Sequence, residues 1–419
     1  MKHSRTHWAA LTMSTGLLLA APVAQALELA TSGFGTVGYA ISDQSYRYQR
    51  FIDDTGTFKR DTVIGGQLEL KFSPELSATV QAIVAPSVRN DTDWSLTPSW
   101  AFLSWRPGND WLLRVGKQRV SMFLNSENRD VGQTYDFARL PMEMYGISPT
   151  VDFTGLSVSH SWLPDLGELT LDVFGGQAAI AARTHSRDYG TLFTPVRTGI
   201  VGSVLTLRTD DATWRVGLHH TVTRLKSGED FDSDYPYVDL GGYFQVSKQM
   251  FGPGVPTTAA IANDVITFGG DVEVAPTWRV VGELARNIQH RTNRGQSTFG
   301  GYVAVLHKMD RFTPYVSFAK LRSTGVSVGL VAKLDASVVP GQDDLNASQR
   351  AVADSIPTYD QESVALGSSY ALSSHSKLKA EWLNTRVGKR SAMVDSPLGS
   401  DVVRHQRINV LTVNYSFAF

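Results

Sequence analysis

The chain has 419 residues, and its 39 basic side chains almost balance 40 acidic ones, which excludes a nucleic-acid footprint and a polybasic membrane patch. It has no cysteine, which excludes disulfides and thiolate metal sites. No Pro/Ser-rich linker or charge run divides it, and glycine is plentiful while long apolar helical periods are scarce. We therefore expect one large β domain with no cofactor, no metal and no nucleic-acid partner.

Residues 1–26 have the pattern of a secretory signal peptide. Lys2 and Arg5 supply the positive start, a mostly apolar run follows, and Ala24–Ala26 is a small-x-small cleavage site. Cleavage there would leave residues 27–419 as the mature domain. The apolar run is too short for a spanning helix, and no later stretch reaches about 18 consecutive apolar residues. The sequence thus predicts an exported protein and excludes a helical membrane protein.

Short runs of alternating apolar and polar residues recur along the chain, in pairs joined by tight turns. Such runs are typical of β-hairpins. An opening strand near 34–41 and a closing strand at the C-terminus bring the total to about sixteen, an even number as bacterial barrels require. The paired runs are 64–72 with 76–86, 99–106 with 111–118, 156–162 with 168–177, 200–209 with 214–224, 264–274 with 278–288, 298–307 with 312–321, and 361–372 with 377–387.

The connections at the other end of these hairpins are long. Short turns at one end and long loops at the other are typical of an all-β transmembrane antiparallel up-and-down barrel, with periplasmic turns and external loops. Four aromatic residues follow short turns and would form an interfacial girdle: Trp111, Trp214, Trp278 and Phe312. The predicted loops are 42–61, 87–98, 119–155, 178–199, 225–263, 289–297, 322–360 and 388–403.

Charged side chains within the strands share the face opposite to the apolar one. A Lys or Arg facing lipid at mid-membrane would cost about 2–4 kcal/mol, so these side chains are expected to face an aqueous lumen. The residues predicted to line this pore wall are Glu69, Lys71, Arg114, Gln118, Arg215, Arg279, Glu283 and Lys379.

One stretch carries a resemblance to a known family. The segments Arg114–Arg119, Asn125–Val131, Leu140-Pro141 and Tyr145-Gly146 resemble the fifth strand and third external loop of Gram-negative porins, which are trimeric sixteen-stranded diffusion channels. The resemblance implies a homotrimer and a third loop that folds into the lumen and narrows the pore. Arginines are interspersed among the acidic residues of this loop, so simple cation selectivity is not carried over.

The loop 119–146 is the predicted filter. Opposed charges on an inward-folded loop would set a transverse field across a narrow aqueous slot. The alternative is a solvated external loop with balanced charges, but five apolar residues argue for a wall to pack on: Leu124, Val131, Tyr135, Phe137 and Leu140. The predicted constriction residues are Arg119, Glu127, Arg129, Asp130, Asp136, Arg139 and Glu143.

The last nine residues, Leu411–Phe419, alternate as a strand that ends on an aromatic residue. An apolar face toward lipid and an edge paired with the first strand would explain this ending, whereas a soluble sheet would be left with an exposed edge. The ending resembles the C-terminal strand of outer-membrane barrels, which implies that Tyr415, Phe417 and Phe419 form the signal read by the barrel assembly machinery. An ordinary amphipathic edge strand is the alternative.

Three motifs are rejected on their context. Gly33–Gly38 matches a dinucleotide fingerprint but alternates as a strand with no helix after it. Gly325–Gly329 matches a nucleophile elbow, but we expect it in a loop whose only helix-like stretch is Asp343–Ala353. His219 and His220 are adjacent strand residues that face opposite sides and cannot share one metal ion.

The sequence therefore predicts an outer-membrane porin, not an enzyme. The leading hypothesis is a water-filled channel for passive diffusion of ions and small hydrophilic solutes, with outer-membrane lipid around it. The alternative is a porin selective for small anions such as carboxylate or phosphate, which would bind to a basic wall that includes Arg114, Arg215, Arg279 and Lys379. An outer-membrane enzyme would need a Ser/His or Asp/His constellation that the sequence does not assemble, and an adhesin would need longer self-folding loops.

Overall fold

Sixteen antiparallel strands close into a single barrel in the computed structural model, which describes residues 28–239, 242–246, 254–292 and 297–419. The predicted signal peptide and its cleavage site lie outside the described residues. The predicted fold class is confirmed. The barrel strands are β1 Glu28–Ser42, β2 Val63–Lys71, β3 Leu76–Pro86, β4 Trp94–Trp105, β5 Trp111–Arg119, β6 Asp152–Trp162, β7 Glu168–Ser186, β8 Gly190–Arg208, β9 Ala212–Leu225, β10 Ile261–Ala275, β11 Trp278–His290, β12 Thr298–His307, β13 Phe312–Ser323, β14 Tyr359–Ser373, β15 Ser376–Ser391 and β16 Arg407–Ala418.

The barrel is closed between β1 and β16. Phe34 pairs with Ala418 and Val37 with Tyr415 in an antiparallel ladder. The seven tight turns predicted from the sequence lie at the end of the barrel where β1 begins, which we call the turn end; the opposite loop end has the longer connections and one further tight turn, 187–189, between β7 and β8. Because both edges of the sheet are paired, no strand is left with unsatisfied backbone groups facing lipid.

Alternation along each strand separates an apolar outer face from a polar inner face. On β16, Leu411 and Val413 are each 57% exposed on the outside, while Thr412 and Asn414 are each 1% exposed on the inside. The four aromatic residues predicted to form a girdle, Trp111, Trp214, Trp278 and Phe312, all point outward near the turn end with 39–44% of their surface exposed, as that prediction requires. The outer surface therefore suits a hydrocarbon environment flanked by an aromatic belt.

One predicted loop, 178–199, is wrong. β7 and β8 continue through it as a paired ribbon, from Ala178 opposite Thr198 to Ser186 opposite Gly190, and only three residues turn between them. Each strand has 19 residues, whereas about 9–11 residues cross a membrane, so the hairpin extends beyond the membrane-spanning belt.

Short elements at the loop end and inside the lumen complete the fold. Residues 120–151 contain a 3-10 turn, Gly132–Thr134, and helix α1, Met142–Tyr145; the connection after β13 contains α2, Gly325–Ala336, and α3, Asp343–Ser355. None of the helices in the described ranges is long and apolar enough to cross a membrane. Among the loop residues that the structure describes, three two-stranded pairs form: Arg47–Tyr48 with Val394–Asp395, Phe231–Asp232 with Thr257–Thr258, and Tyr237–Val238 with Tyr243–Phe244.

Candidate functional site

The connection 120–151, which we call the inward loop, lies inside the barrel and packs against one side of its inner wall. Phe137 packs edge to face on two tyrosines of the wall. Its ring centroid lies 5.1 Å from that of Tyr315 and 6.1 Å from that of Tyr302. Phe137 is 3% exposed and Leu140 is 7% exposed. Four of the five apolar residues expected to need a wall join a core formed with β6–β8 and β10–β13 or pack against it, namely Leu124, Tyr135, Phe137 and Leu140, whereas Val131 does not.

A buried carboxylate of the wall holds both ends of the inward loop. Glu283 on β11 accepts hydrogen bonds from the Tyr145 hydroxyl at 2.5 Å and from the Leu124 backbone N–H at 2.8 Å. The Tyr302 hydroxyl on β12 donates a third bond at 2.9 Å. Glu283 is 2% exposed, so this residue of the predicted pore wall fastens the loop and has almost no contact with the open lumen.

Two basic residues of the predicted pore wall also fasten the inward loop. Arg215 donates to the Phe123 carbonyl at 2.5 Å, and Lys379 donates to the carbonyls of Gly132 at 2.5 Å and Phe137 at 2.9 Å. Arg215 is 7% and Lys379 is 2% exposed. Each cation therefore satisfies backbone oxygens that would otherwise be buried without a partner.

The loop approaches the barrel seam closely at Gly132. A Cβ at this position would lie 2.5 Å from the Thr36 hydroxyl oxygen and 2.6 Å from that of Ser416, closer than side chains pack. Beside it, the Asn414 amide donates to the Ala138 carbonyl at 2.6 Å. Glycine is therefore needed at position 132 for the loop to reach the wall.

The acidic residue Asp136 is fixed by side chains of β11, β14 and β15. Lys377 lies 2.9 Å from its carboxylate, Ser369 donates a bond at 2.8 Å, and Arg279 lies at 3.7 Å while also pairing with Asp271. Burial raises the pKa of Asp136, but the charge of Lys377 and its hydrogen bond outweigh burial and hold that pKa below its usual value. Asp136 is therefore an anionic anchor at neutral pH.

Two other predicted constriction residues are buried where the loop meets the wall. Arg139 is 8% exposed and forms a two-pronged ion pair with Asp61. Glu143 is 1% exposed and accepts a hydrogen bond from Gln361 at 2.7 Å. Their charges are neutralised or hydrogen-bonded within the packing, which limits their reach into the lumen.

Of the remaining predicted constriction residues, Arg129 and Asp130 border a cavity of about 190 Å³ between the inward loop and the first strands, whereas Arg119 and Glu127 border a smaller cavity of about 100 Å³. Arg119 forms an ion pair with Asp130, and Glu127 is exposed to the lumen. Arg129 and Arg60 line the larger of these two cavities, and neither guanidinium forms an ion pair among the described residues. Burial, followed by the charge of Arg139, lowers the pKa of Arg60 to about 10, and burial also lowers that of Arg129.

Arg60 was missed by the sequence reasoning. It lies in the first long connection, where nothing in the sequence indicates contact with the third. In the structure its guanidinium contacts the Met142 sulfur of the inward loop at 2.6 Å and the Gln49 side-chain oxygen at 3.4 Å. Two loops therefore contribute cationic groups to the same cavity.

Another cavity lies in the turn-end half of the lumen. Glu69, Lys71 and Arg114 border a cavity of about 360 Å³, and Gln118 lies further inside, 5% exposed. Lys71 forms an exposed ion pair with Glu28 at 3.0 Å. These residues of the predicted pore wall face inward, and whether they act on passing solutes stays a prediction.

The aromatic end of the chain covers glycines of the first strand. A Cβ on Gly33 would lie 2.4 Å from the Phe419 ring, and one on Gly35 would lie 2.7 Å from the Phe417 ring. Tyr415 is 40% exposed in the same outward row. Two of the three glycines that resemble a dinucleotide fingerprint, Gly33 and Gly35, therefore make room for aromatic rings at the seam, in a strand as expected.

The other rejected motifs also have structural explanations. Contrary to expectation, α2 begins directly after β13, so Ser327 does follow a strand and start a helix, but it is 1% exposed and its hydroxyl is 2.7 Å from that of Thr324. It therefore offers no exposed nucleophile. His219 faces inward and His220 faces outward toward Asp264 at 2.6 Å, which confirms that the two rings cannot share an ion.

Comparison with known proteins gives structural matches only. No protein-family model and no curated sequence matches the chain. The trimer form of OmpT, an outer membrane protein of Vibrio cholerae, matches 94% of this chain and 100% of its own at 10% identity and a TM-score of 0.53. The match to an anion-selective porin from Comamonas acidovorans covers 94% of this chain and 100% of the porin, at 9% identity and a TM-score of 0.52. The match to the outer membrane channel DcaP of Acinetobacter baumannii covers 93% of this chain and 97% of DcaP, at 11% identity and a TM-score of 0.50. At these identities the likeness concerns the fold, and this chain has the sixteen-stranded fold of the outer-membrane porins.

Proposed function

We propose that this chain forms a water-filled channel in the bacterial outer membrane for passive diffusion of ions and small hydrophilic solutes. The observation that carries the proposal is the inward loop, which fills one side of the lumen and is fastened there by buried polar contacts. Two cavities bordered by charged side chains, of about 190 Å³ and 360 Å³, lie along the first strands, and we propose that they belong to one off-centre passage. A narrow aqueous passage with fixed charges selects solutes by size and sign.

The charges that border the passage favour anions as a second candidate function. Arg60 and Arg129 have no acidic partner among the described residues, whereas Asp130 is paired with Arg119. Two uncompensated cations in a narrow passage attract a mobile counter-ion, which would be a small carboxylate or phosphate. Glu127 works against this preference because it is exposed and unpaired by any cation in the described ranges.

The test is the reversal potential of the purified protein in a planar bilayer under a salt gradient. Replacing Arg60 and Arg129 by Gln should shift it toward cation preference, and Glu127→Gln should shift it toward anion preference. Both shifts should shrink in molar salt, where the Debye length falls to about 3 Å. Lys389→Gln is the control, because this exposed residue lies at the loop end of β15. If the arginine double variant and Glu127→Gln changed the reversal potential no more than Lys389→Gln does, a filter at the inward loop would be contradicted. A protein that carries no current at all would refute the channel.

Location and assembly are part of the same proposal. A signal peptide ending at Ala26, an aromatic belt and a terminal Phe419 are consistent with export, insertion by the barrel assembly machinery and a surround of outer-membrane lipid. We also propose a homotrimer, since one solved relative in fold is described as a trimer. Chemical cross-linking in mild detergent followed by mass measurement tests the stoichiometry.

A further inference from the structure

A β-bulge in β4 turns two large aromatic side chains into the lumen. Gln81 of β3 pairs with Trp100, but the next residue, Ala82, pairs with Pro98, so one residue of β4 has no partner. Trp94 and Leu96 point outward before the bulge, and strict alternation would place Trp100 and Phe102 on that lipid face. Bulges often re-aim side chains next to functional sites.

After the bulge, the inner face of β4 carries the aromatic pair. Leu103 is 48% and Trp105 is 51% exposed on the outside, while Trp100 and Phe102 line the lumen with ring centroids 5.9 Å apart. The two rings border a cavity of about 100 Å³ between β4 and β7, and this cavity shares them with the larger turn-end cavity. Large aromatic surface facing a water-filled space is unusual without an apolar ligand.

A free cation lies beside the aromatic pair. The guanidinium of Arg114 lies 5.2 Å from the centre of the Phe102 ring. It forms no ion pair in the described part of the chain, in contrast to Arg215, Arg279 and Lys379, whose cations are bound to the inward loop or to Asp136. Of the basic residues predicted for the pore wall, Arg114 is therefore one whose charge stays available to a solute.

Carboxylates face the same cavity. Glu127 of the inward loop and Asp172 of β7 both line it, and Asp172 accepts a hydrogen bond from the Ser159 hydroxyl. Neither forms an ion pair with Arg114. One small space thus presents the unpaired cation of Arg114, two carboxylates and an aromatic surface; Arg119 also lines it, but its charge is paired with Asp130.

We propose that this cavity is a binding subsite for zwitterionic solutes that carry an aromatic ring, namely aromatic α-amino acids. The ring stacks on Trp100 and Phe102, the carboxylate meets Arg114, and the ammonium group meets Asp172 and Glu127. A simple aromatic anion would be repelled by the two carboxylates, and a simple aromatic cation by Arg114. The proposal rests on the proposed function, because the solute must enter an open lumen.

The experiment measures block of the potassium chloride current in a planar bilayer by four related solutes. The probe is L-phenylalanine; 3-phenylpropionate lacks its ammonium group, phenethylamine lacks its carboxylate, and glycine lacks its ring. We expect phenylalanine to half-block the current at a concentration at least about fivefold below that of each of the others. Equal block by phenylalanine and 3-phenylpropionate would overturn the zwitterion assignment, and equal block by glycine would overturn the role of the rings.

Variants locate the subsite. Trp100→Leu, Arg114→Gln and Asp172→Asn should each raise the half-blocking concentration of phenylalanine about fivefold. The controls are Trp105→Leu, an outward ring on the same strand, and Arg208→Gln, an exposed arginine near the turn end that pairs with Glu168. Heat-modifiable migration and a measurable potassium chloride current without solute show that each variant has folded, and block is expressed relative to that variant's own current.

The outcomes separate the two proposals. A wild-type protein that carries no potassium chloride current refutes the channel itself. A conducting wild type in which the three subsite variants and the two controls respond alike to phenylalanine refutes only the subsite.

Discussion

The most informative perturbation is Glu283→Ala, because this one carboxylate holds two separated points of the inward loop. It receives the Tyr145 hydroxyl and the Leu124 N–H from the loop, and the Tyr302 hydroxyl from the wall. Alanine removes the acceptor and leaves three buried donors without a partner. We expect the loop to loosen while the barrel ladder, whose strands pair through backbone bonds, stays closed.

The magnitude follows from the number of orphaned donors. Leaving one buried polar group unsatisfied costs about 1–3 kcal/mol, so the two donors of the inward loop alone cost about 2–6 kcal/mol. A factor of ten in an equilibrium corresponds to about 1.4 kcal/mol, so the population of displaced loop conformations should rise by at least about tenfold. Water entering the gap would satisfy some donors and bring the effect to the lower end of this range.

Single-channel recording tests this expectation. Glu283→Ala should raise the mean conductance, add slow current fluctuations and admit larger neutral solutes. Glu283→Gln is the graded variant, because its amide oxygen still accepts bonds and its effect should be smaller. Glu362→Ala is the matched control: this glutamate faces outward on β14, where it pairs with Lys320. A folded Glu283→Ala protein with wild-type conductance and noise would refute the view that this carboxylate positions the constriction.

Four further predictions follow from the sequence and the seam. N-terminal sequencing of protein from outer-membrane fractions should begin at Leu27, and a retained start at Met1 would contradict cleavage. Deleting Phe419 should reduce the yield of the heat-modifiable folded form without reducing synthesis. Gly35→Val should have a similar effect, because its side chain would occupy the place of the Phe417 ring. Lys379→Met should increase current noise, since two loop carbonyls lose a charged donor worth about 1.5–3 kcal/mol per bond.

Strand positions could be predicted because lipid outside and water inside impose strict alternation. The tight turns and the outward row of Leu411 and Val413 follow from this pattern, and the structure has them where the sequence indicates. Strand length beyond the membrane is not controlled by the same rule. The β7–β8 ribbon therefore extended through residues 178–199, where backbone pairing continues without an apolar face toward lipid.

Helix α2 was not predicted from the sequence, whereas α3 was. α2 has apolar residues all round, among them Val326, which is 75% exposed, and Leu334, which is fully buried. Such a helix has no apolar stripe at helical spacing, and its two glycines resemble a loop. The bulge at residues 98–100 was also beyond sequence reasoning, because Trp100 and Phe102 would be acceptable on either face of a strand.

The contacts of the inward loop explain why the electrostatic potential near the loop cannot be obtained by counting its charged residues in the sequence. Asp136 and Arg139 each have an oppositely charged partner on another element, so each pair presents a dipole whose potential falls quickly with distance. Arg60, Arg129 and Glu127 have none among the described residues, so their potential falls less steeply with distance. If the proposed channel function holds, the paired charges fasten the loop, and the sign of selectivity should follow from the few charges left unpaired.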